Sequence, residues 1–107
     1  MSIIICLVSC PSQEVATSIA TELVEQGLAA CVNIVPGMQS IYRWQGSLCS
    51  SEEALLIIKS TLERQEELKS AVLSMHPYEL PEFIALSPSA ISEPYAEWVS
   101  TGVKRSI

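Results

Sequence analysis

Two side chains in the sequence, one thiol and one imidazole, have the chemistry of soft metal ligands. They are Cys31 and His76, and His76 is the only histidine in the chain. A thiolate and an imidazole together suit Cu(I), Cu(II) or Zn(II). With one histidine, a complete tetrahedral site within one subunit is hard to build, so the sequence favours a site shared between subunits or a weak, exposed one. The alternative is structural: Cys31 as a small buried strand residue, and His76 as a helix-ending residue bonded to a nearby carbonyl or carboxylate.

The other three cysteines add no recognisable metal site. Cys6, Cys10 and Cys49 form no C-x-x-C motif, and the spacing of all four matches no structural zinc site. We expect Cys6 to be buried and inert in mid-strand, and Cys49 to be exposed and oxidisable in a serine-rich turn. Met75 could serve Cu(I) through its thioether, but it also completes a helical apolar stripe, and core packing is the favoured interpretation.

A second group combines aromatic rings with one lysine and one glutamate. Lys59 ends an apolar strand, where a lysine needs a reason, and Glu82 follows a proline at the start of another strand. Such a pair beside aromatic rings could bind a small anionic or amphipathic molecule. The alternative is an interface ion pair flanked by aromatic anchors. The residues of this candidate cleft are Tyr42, Trp44, Lys59, Tyr78, Glu82, Tyr95 and Trp98.

Composition limits the class of function. The 107 residues predict a single domain over 1–107, and 49% are hydrophobic, enough for one core. A net charge of −6 argues against nucleic acid and anionic membranes as partners. The apolar start lacks a basic region and soon meets Pro11, so we expect a cytoplasmic protein with free thiols. Without a nucleophile turn or a glycine-rich phosphate loop, we expect no enzymatic activity.

The apolar pattern alternates between strand and helix periods along the chain. The predicted strands are residues 3–9, 31–35, 41–44, 53–60 and 83–86, and the predicted helices are residues 13–26, the stretch between Ser60 and His76, and a last helix after Ser92. The first strand is apolar at nearly every position, so we expect it to be central and buried on both faces. Ser12 and Gly27 are typical of the start and end of the first helix.

Short sequence motifs also predict turns and helix ends in the middle of the chain. Pro36-Gly37 interrupts an extended run and predicts a bulge or bend at a sheet edge. Gln45-Gly46 predicts a hairpin tip. Ser60 and Glu63 match a capping box at the start of the second helix, which His76-Pro77 should end.

The order βαββαβ with a terminal helix predicts an α+β, ferredoxin-like sheet with helices on one face. The last helix should carry Ile91, Tyr95 and Trp98 as an apolar stripe, and residues 104–107 should fray. One helix layer covers only one face of this apolar sheet, and a long hairpin leaves unpaired edges. Pairing with other subunits would solve both difficulties.

Three segments in this order and spacing resemble the CutA family of divalent-cation-tolerance proteins. They read LAACVNIVPG at residues 28–37, SIYRWQG at 40–46 and HPYELPE at 76–82. The resemblance covers nearly the whole chain. It implies a ferredoxin-like protomer in a tight homotrimer, with an architecture similar to PII signalling proteins. It also implies a role in divalent metal tolerance, with no secure enzymatic activity.

The same resemblance implies copper ligands at Cys31 and His76. Two positions depart from patterns that some members show: Met75 stands where they have a second histidine, and Val8 where they have a cysteine. The sequence thus favours a trimeric cytoplasmic protein of metal homeostasis that binds copper or another divalent cation, with no obligatory cofactor. The alternatives are a PII-like sensor that binds a small molecule in clefts between subunits, and a trimeric scaffold.

Overall fold

The computed structural model describes residues 2–103. Its elements follow the predicted order, so the α+β class is confirmed. They are β1 (Ile3–Cys10), α1 (Gln13–Glu25), β2 (Cys31–Trp44), β3 (Ser47–Thr61), a 3-10 turn (Leu62–Arg64), α2 (Gln65–Met75), β4 (Ile84–Leu86) and α3 (Glu93–Gly102). The expected fraying of residues 104–107 lies outside the described residues. No helix among residues 2–103 is both long and apolar enough to cross a bilayer.

The four strands form one antiparallel sheet in the order β2-β3-β1-β4. Strand β1 is therefore central, as its continuous apolar run predicts. Its residue Ile5 lies opposite Lys59 on one side and Leu86 on the other. Burial on both faces is only partly observed, because Ile5 and Leu7 are half-buried within the single chain.

The core lies between one face of the sheet and the first two helices. Side chains alternate between the two faces of a strand, and the even-numbered residues of β1 and those of β3 from Ala54 to Ser60 point toward this core. The buried cluster contains Ile4, Cys6, Val8 and Cys10 from β1, Leu56 and Ile58 from β3, Ile19 and Leu23 from α1, and Leu68 and Val72 from α2. Helices α1 and α2 do not cover the other face of the sheet, so its residues are available for other contacts.

Helix α1 has both predicted caps. The Ser12 hydroxyl accepts a hydrogen bond from the Val15 amide. At the other end Gly27 has φ +71°, and the amide of Leu28 donates to the carbonyl of Leu23. This left-handed glycine with a bond back across the last turn is a Schellman motif.

Strands β2 and β3 form one long hairpin. The register shifts between Val35 and Met38, which confirms the predicted bulge at Pro36-Gly37. At the tip Gln45 and Gly46 both have positive φ, as a two-residue type I′ turn requires. Because so tight a turn leaves no loop, β3 begins at Ser47 and not at residue 53. Cys49 is consequently a half-buried strand residue, and its predicted place in an exposed turn is wrong.

The predicted capping box at Ser60 is also wrong. Ser60 is a buried residue of β3, and its hydroxyl donates to the carbonyl of Leu28. The helical segment instead starts with a 3-10 turn after Thr61, which makes no side-chain capping bond. Helix α2 ends as predicted, since His76 has an extended backbone with ψ 134°.

Helix α3 begins at its predicted cap but turns a different face inward. The Ser92 hydroxyl accepts a hydrogen bond from the Tyr95 amide. The predicted stripe is exposed, however, and Trp98 is 53% exposed. Val99 and Val103 are the buried residues, and α3 packs against β1 and β3.

Candidate functional site

A cleft of about 500 Å³ lies where the hairpin meets the end of β1 and the segment that follows α2. One wall comes from alternate residues of β2, Ser40, Tyr42 and Trp44, which share a face of the strand. The Tyr42 hydroxyl and the Ser51 hydroxyl, on β3, lie 2.8 Å apart in a hydrogen bond. The bulge and the tight tip of the hairpin therefore position an aromatic wall beside the sheet.

Three carboxylates also line the cleft. They belong to Glu53 on β3 and to Glu79 and Glu82 on the segment after α2. The Tyr78 hydroxyl donates to Oε2 of Glu53, and the Ser9 hydroxyl donates to Oε1 of Glu82 at 2.6 Å. These bonds fix two of the three carboxylates.

His76 connects the strand end to this segment. Its Nε2 donates to the carbonyl of Ser9 at 2.7 Å, and its Nδ1 accepts from the amide of Tyr78 at 3.2 Å. The side chain is 8% exposed, and its ring centroid lies 4.8 Å from that of Tyr78. Both nitrogens are thus engaged in a neutral tautomer, and a metal ion could coordinate His76 only after one of these bonds breaks.

The pKa values of two side chains at or near the cleft, Tyr78 and Cys10, are raised. Burial raises the pKa of the Tyr78 phenol, and its hydrogen bond to the Glu53 carboxylate raises that pKa further. Burial also raises the pKa of the Cys10 thiol to about 11, with a smaller contribution from the charge of Glu53. Tyr78 is therefore a neutral donor at neutral pH, and Cys10 is a protonated, unreactive thiol.

Cys31 lies at the other end of the sheet from His76. It begins β2 opposite Lys59, whereas Ser9, which His76 contacts, lies opposite Leu55. Four residues along β3 correspond to about 13 Å, and the two side chains lie on opposite sides of that strand. Within one chain the structure does not bring them together. Among residues 2–103, no three His, Cys, Asp or Glu side chains converge as a metal site.

The predicted cleft residues separate into two groups. Tyr42, Trp44, Tyr78 and Glu82 do line the cavity. Lys59 does not, because its ammonium donates to Asn33 on the neighbouring strand. The predicted Lys59–Glu82 pair is therefore not formed within the chain.

Tyr95 and Trp98 lie outside the cleft as well. They stack on each other on α3, with ring centroids 5.7 Å apart.

Ser9, Glu53 and Glu79 line the cleft but were not predicted from the sequence. Glu79 and Glu82 both lie in the HPYELPE segment, so that segment carried a usable signal. Glu53 is adjacent to Glu52, and neighbouring strand residues face opposite ways. Only Glu53 is buried, at 7% exposure, and no local pattern distinguishes it from its neighbour.

Comparison with known sequences gives matches over most of the chain. The family model described as CutA1 divalent ion tolerance protein matches residues 4–102. The divalent-cation tolerance protein CutA of Thermus thermophilus is 48% identical over 93 residues, covering 87% of this chain and 90% of that protein. The chloroplastic protein CutA of Arabidopsis thaliana is 41% identical over 101 residues. The match covers 94% of this chain but only 56% of that protein.

Solved structures give the same result. CutA1 from Oryza sativa superposes with a TM-score of 0.94 at 36% identity, covering 99% of this chain and 97% of that one. The structure of the divalent cation tolerance protein from Thermus thermophilus gives a TM-score of 0.90 at 45% identity, covering 94% and 97%. The likeness in fold thus includes the hairpin and the segment after α2.

Proposed function

The chain belongs to the CutA1 divalent ion tolerance family, and from this membership we propose that it acts in metal tolerance by binding divalent cations. The observation that carries the proposal is the cleft. Three carboxylates line it, and among the described residues no lysine or arginine does. Such a site attracts cations, and the net charge of −6 adds to the attraction. Relatives are named for tolerance and not for a reaction, so we propose no catalytic step.

We further propose that the protein works as a homotrimer of ferredoxin-like protomers. The strand order with β1 between β3 and β4, and two helices on one face, supports the ferredoxin-like topology. The outer half of the hairpin supports the assembly: Ile41 is 65% exposed and Leu48 is 73% exposed in the single chain. Large apolar side chains in such numbers on one element are typical of an interface. The resemblance to PII architecture is part of the same proposal.

Two places could hold a metal ion: a thiol, which suits copper, and the cleft, which suits a harder divalent cation. A thiolate site would use Cys31, which is half-buried and free, with ligands from a second subunit. His76 would join only by releasing Ser9 or Tyr78. The cleft would instead hold a hard divalent ion through carboxylate oxygens and water. We favour the cleft because hydrogen bonds hold two of its carboxylates, those of Glu53 and Glu82, and water could complete the coordination of an ion there.

Metal titration of four proteins tests the assignment. Calorimetry with Cu(I), Cu(II), Zn(II) and the harder Mn(II) compares the unaltered chain with Cys31→Ser, Glu82→Gln and the control Glu25→Gln, which removes an equal charge at the end of α1. Binding lost in Glu82→Gln and kept in the other two supports the cleft. Loss in Cys31→Ser alone moves the site to the thiol. Equal weakening in Glu25→Gln would mean only diffuse attraction and would overturn the proposal.

A second candidate function is the sensing of a small molecule in the same cleft. The observation that favours this candidate is the size of the cleft. Its volume of about 500 Å³ is within the range of small-molecule sites and is larger than one ion needs. Aromatic walls are typical of such sites. Binding of a metabolite without any metal would favour this candidate.

We propose a cytoplasmic location. All four cysteines are free thiols, as expected in a reducing compartment. The Arabidopsis relative is named as chloroplastic, so relatives of this family do not share one location. Fractionation of cells expressing the tagged chain tests the proposal, and recovery from an oxidising compartment would contradict it.

A further inference from the structure

We propose that Lys59 forms an ion pair with Glu82 of the partner subunit, across an interface made by the face of the sheet that α1 and α2 leave uncovered. This inference rests on the proposed homotrimer and adds to the hairpin a second contact between copies of the chain. A Lys59–Glu82 pair was expected from the sequence, and within one chain it does not form, because Lys59 is bonded to Asn33.

The uncovered face of the sheet is aliphatic in its middle. The even-numbered residues of β1 belong to the core, so its odd-numbered residues and those directly opposite them lie on the uncovered face. Six aliphatic side chains form this patch: Ile5, Leu7, Leu55, Ile57, Ile84 and Leu86. Ile84 is 47% exposed, Leu86 is 49% exposed, and the other four are half-buried. A contiguous apolar patch of this kind is typical of an interface.

Lys59 places a positive charge on this aliphatic face. It lies opposite Ile5 on one side and Cys31 on the other. Its ammonium donates to the side-chain oxygen of Asn33, a neutral acceptor, and among residues 2–103 it takes part in no ion pair. A copy that covers the face removes this ammonium from water, and a buried charge without a counter-charge is costly. The covering surface therefore needs a carboxylate where it meets Lys59.

The same face carries a carboxylate at its other end. Ser9 lies on this face opposite Leu55, and its hydroxyl donates to Oε1 of Glu82 at 2.6 Å. Lys59 and Leu55 are four residues apart on β3, which corresponds to about 13 Å. The face is therefore positive at one end and negative at the other. A carboxylate accepts several hydrogen bonds, so Glu82 keeps acceptor sites beyond the one that Ser9 uses.

Opposite charges at its two ends make the face complementary to itself. When copies pack with unlike ends together, Lys59 of each copy meets Glu82 of the partner subunit, and the aliphatic patches bury one another. Packing with like ends together would bring ammonium groups close to each other, an arrangement that complementary interfaces avoid. The pair adds one positive charge to a cleft that three carboxylates line, so it is compatible with a cation there.

Subunit exchange tests whether Lys59 has a carboxylate partner. Unlabelled and heavy-isotope-labelled samples are mixed, and native mass spectrometry follows the formation of mixed trimers. Lys59→Met keeps an unbranched side chain of similar length and removes its charge. We expect exchange to accelerate by at least about tenfold, because Glu82 of the partner subunit is left unpaired. If Lys59 had no partner, the substitution would relieve an unpaired charge. Slower or unchanged exchange would therefore overturn the inference.

A charge swap tests the identity of the partner. We expect Lys59→Glu and Glu82→Lys each to accelerate exchange, and the double variant to exchange more slowly than either, because it restores unlike charges. The controls Lys69→Glu and Glu25→Lys make the same changes of net charge on exposed helix surfaces and should alter exchange by less than about twofold. Circular dichroism verifies that every variant is folded. Single effects that simply add in the double variant would contradict the pair.

Sedimentation of the unaltered chain separates this inference from the proposed assembly. A monomer at every concentration would overturn both, and the aliphatic face would then be free for a different partner. A trimer whose exchange is unchanged by Lys59→Met and by the charge swap would keep the proposed assembly and show that this ion pair is not part of it.

Discussion

At the scale of single residues, His76 joins the end of β1 to the segment after α2. Its Nε2 donates to the buried Ser9 carbonyl and its Nδ1 accepts from the Tyr78 amide. His76→Ala removes both partners, so we expect the free energy of unfolding to fall by about 1–3 kcal/mol. Urea unfolding at one protein concentration measures this, with Ser70→Ala on exposed α2 as control. A loss within about 0.5 kcal/mol, as for surface substitutions, would contradict a structural role.

Tyr78 makes a second prediction, about pH. Folding raises the pKa of its phenol through burial and the bond to Glu53. Above the ordinary tyrosine pKa of about 10, the unfolded chain releases this proton while the folded chain keeps it. The unfolded state then binds fewer protons, so stability falls as pH rises through that range.

The experiment measures the free energy of unfolding from about pH 8 to about pH 11, the range around the ordinary tyrosine pKa, in the unaltered chain and in Tyr78→Phe. We expect stability to fall less steeply in the variant, because it lacks the phenol. Some fall should remain, because the buried thiols, whose raised pKa values act in the same direction, are common to both proteins. Parallel curves would show that Tyr78 does not carry this dependence.

At the scale of elements, features with local causes could be predicted and those with long-range causes could not. The caps of α1 and the tip at Gln45-Gly46 depend on neighbours in the sequence, and they were confirmed. Ser60 has the spacing of a capping residue, yet its hydroxyl donates to Leu28, which lies 32 positions away. Local spacing cannot reveal such a partner.

The candidate site divides in the same way. Tyr42 and Trp44 share a strand face by simple alternation, so their common wall was predictable. Lys59 was misplaced because only the register of β3 shows that it lies opposite Cys31 at the far end of the sheet. Glu53 was missed because its hydrogen-bond partner, Tyr78, lies 25 positions later in the chain.

Helix α3 depends on one close approach. An ideal Cβ at Gly102 would lie 2.8 Å from Cβ of Ala30, so the helix could not stay in place with a larger residue there. We expect Gly102→Ala to lower the free energy of unfolding by about 1–2 kcal/mol, because overpacking of about 1–3 kcal/mol exceeds the gain in helix propensity of up to about 1 kcal/mol.

A compensating substitution controls for other effects of Gly102→Ala. Adding Ala30→Gly removes the clashing Cβ, so the double variant should regain part of the lost stability in thermal unfolding. If the two losses simply add, the two residues do not limit each other.

At the scale of the whole molecule, the hairpin makes the chain longer than its size requires. The radius of gyration is 14.4 Å and the extents are 44 × 30 × 22 Å, against about 13 Å expected for a compact domain of this length. The projecting half carries Ile41 and Leu48 largely exposed. An isolated chain would leave this apolar surface in water, and the proposed trimer would cover it.

Leu48→Asp tests that assembly without touching the cleft, because Leu48 is exposed near the tip and does not line the cavity. A buried, unpaired carboxylate opposes association strongly, so we expect sedimentation to show a trimer for the unaltered chain and a smaller species for the variant. Ser18→Asp on the exposed side of α1 adds the same charge and should remain trimeric. Circular dichroism distinguishes a folded, dissociated protomer from an unfolded one. A Leu48→Asp protein that sediments as the unaltered chain does would mean that the hairpin is not the interface, and the apolar surface would then require another explanation.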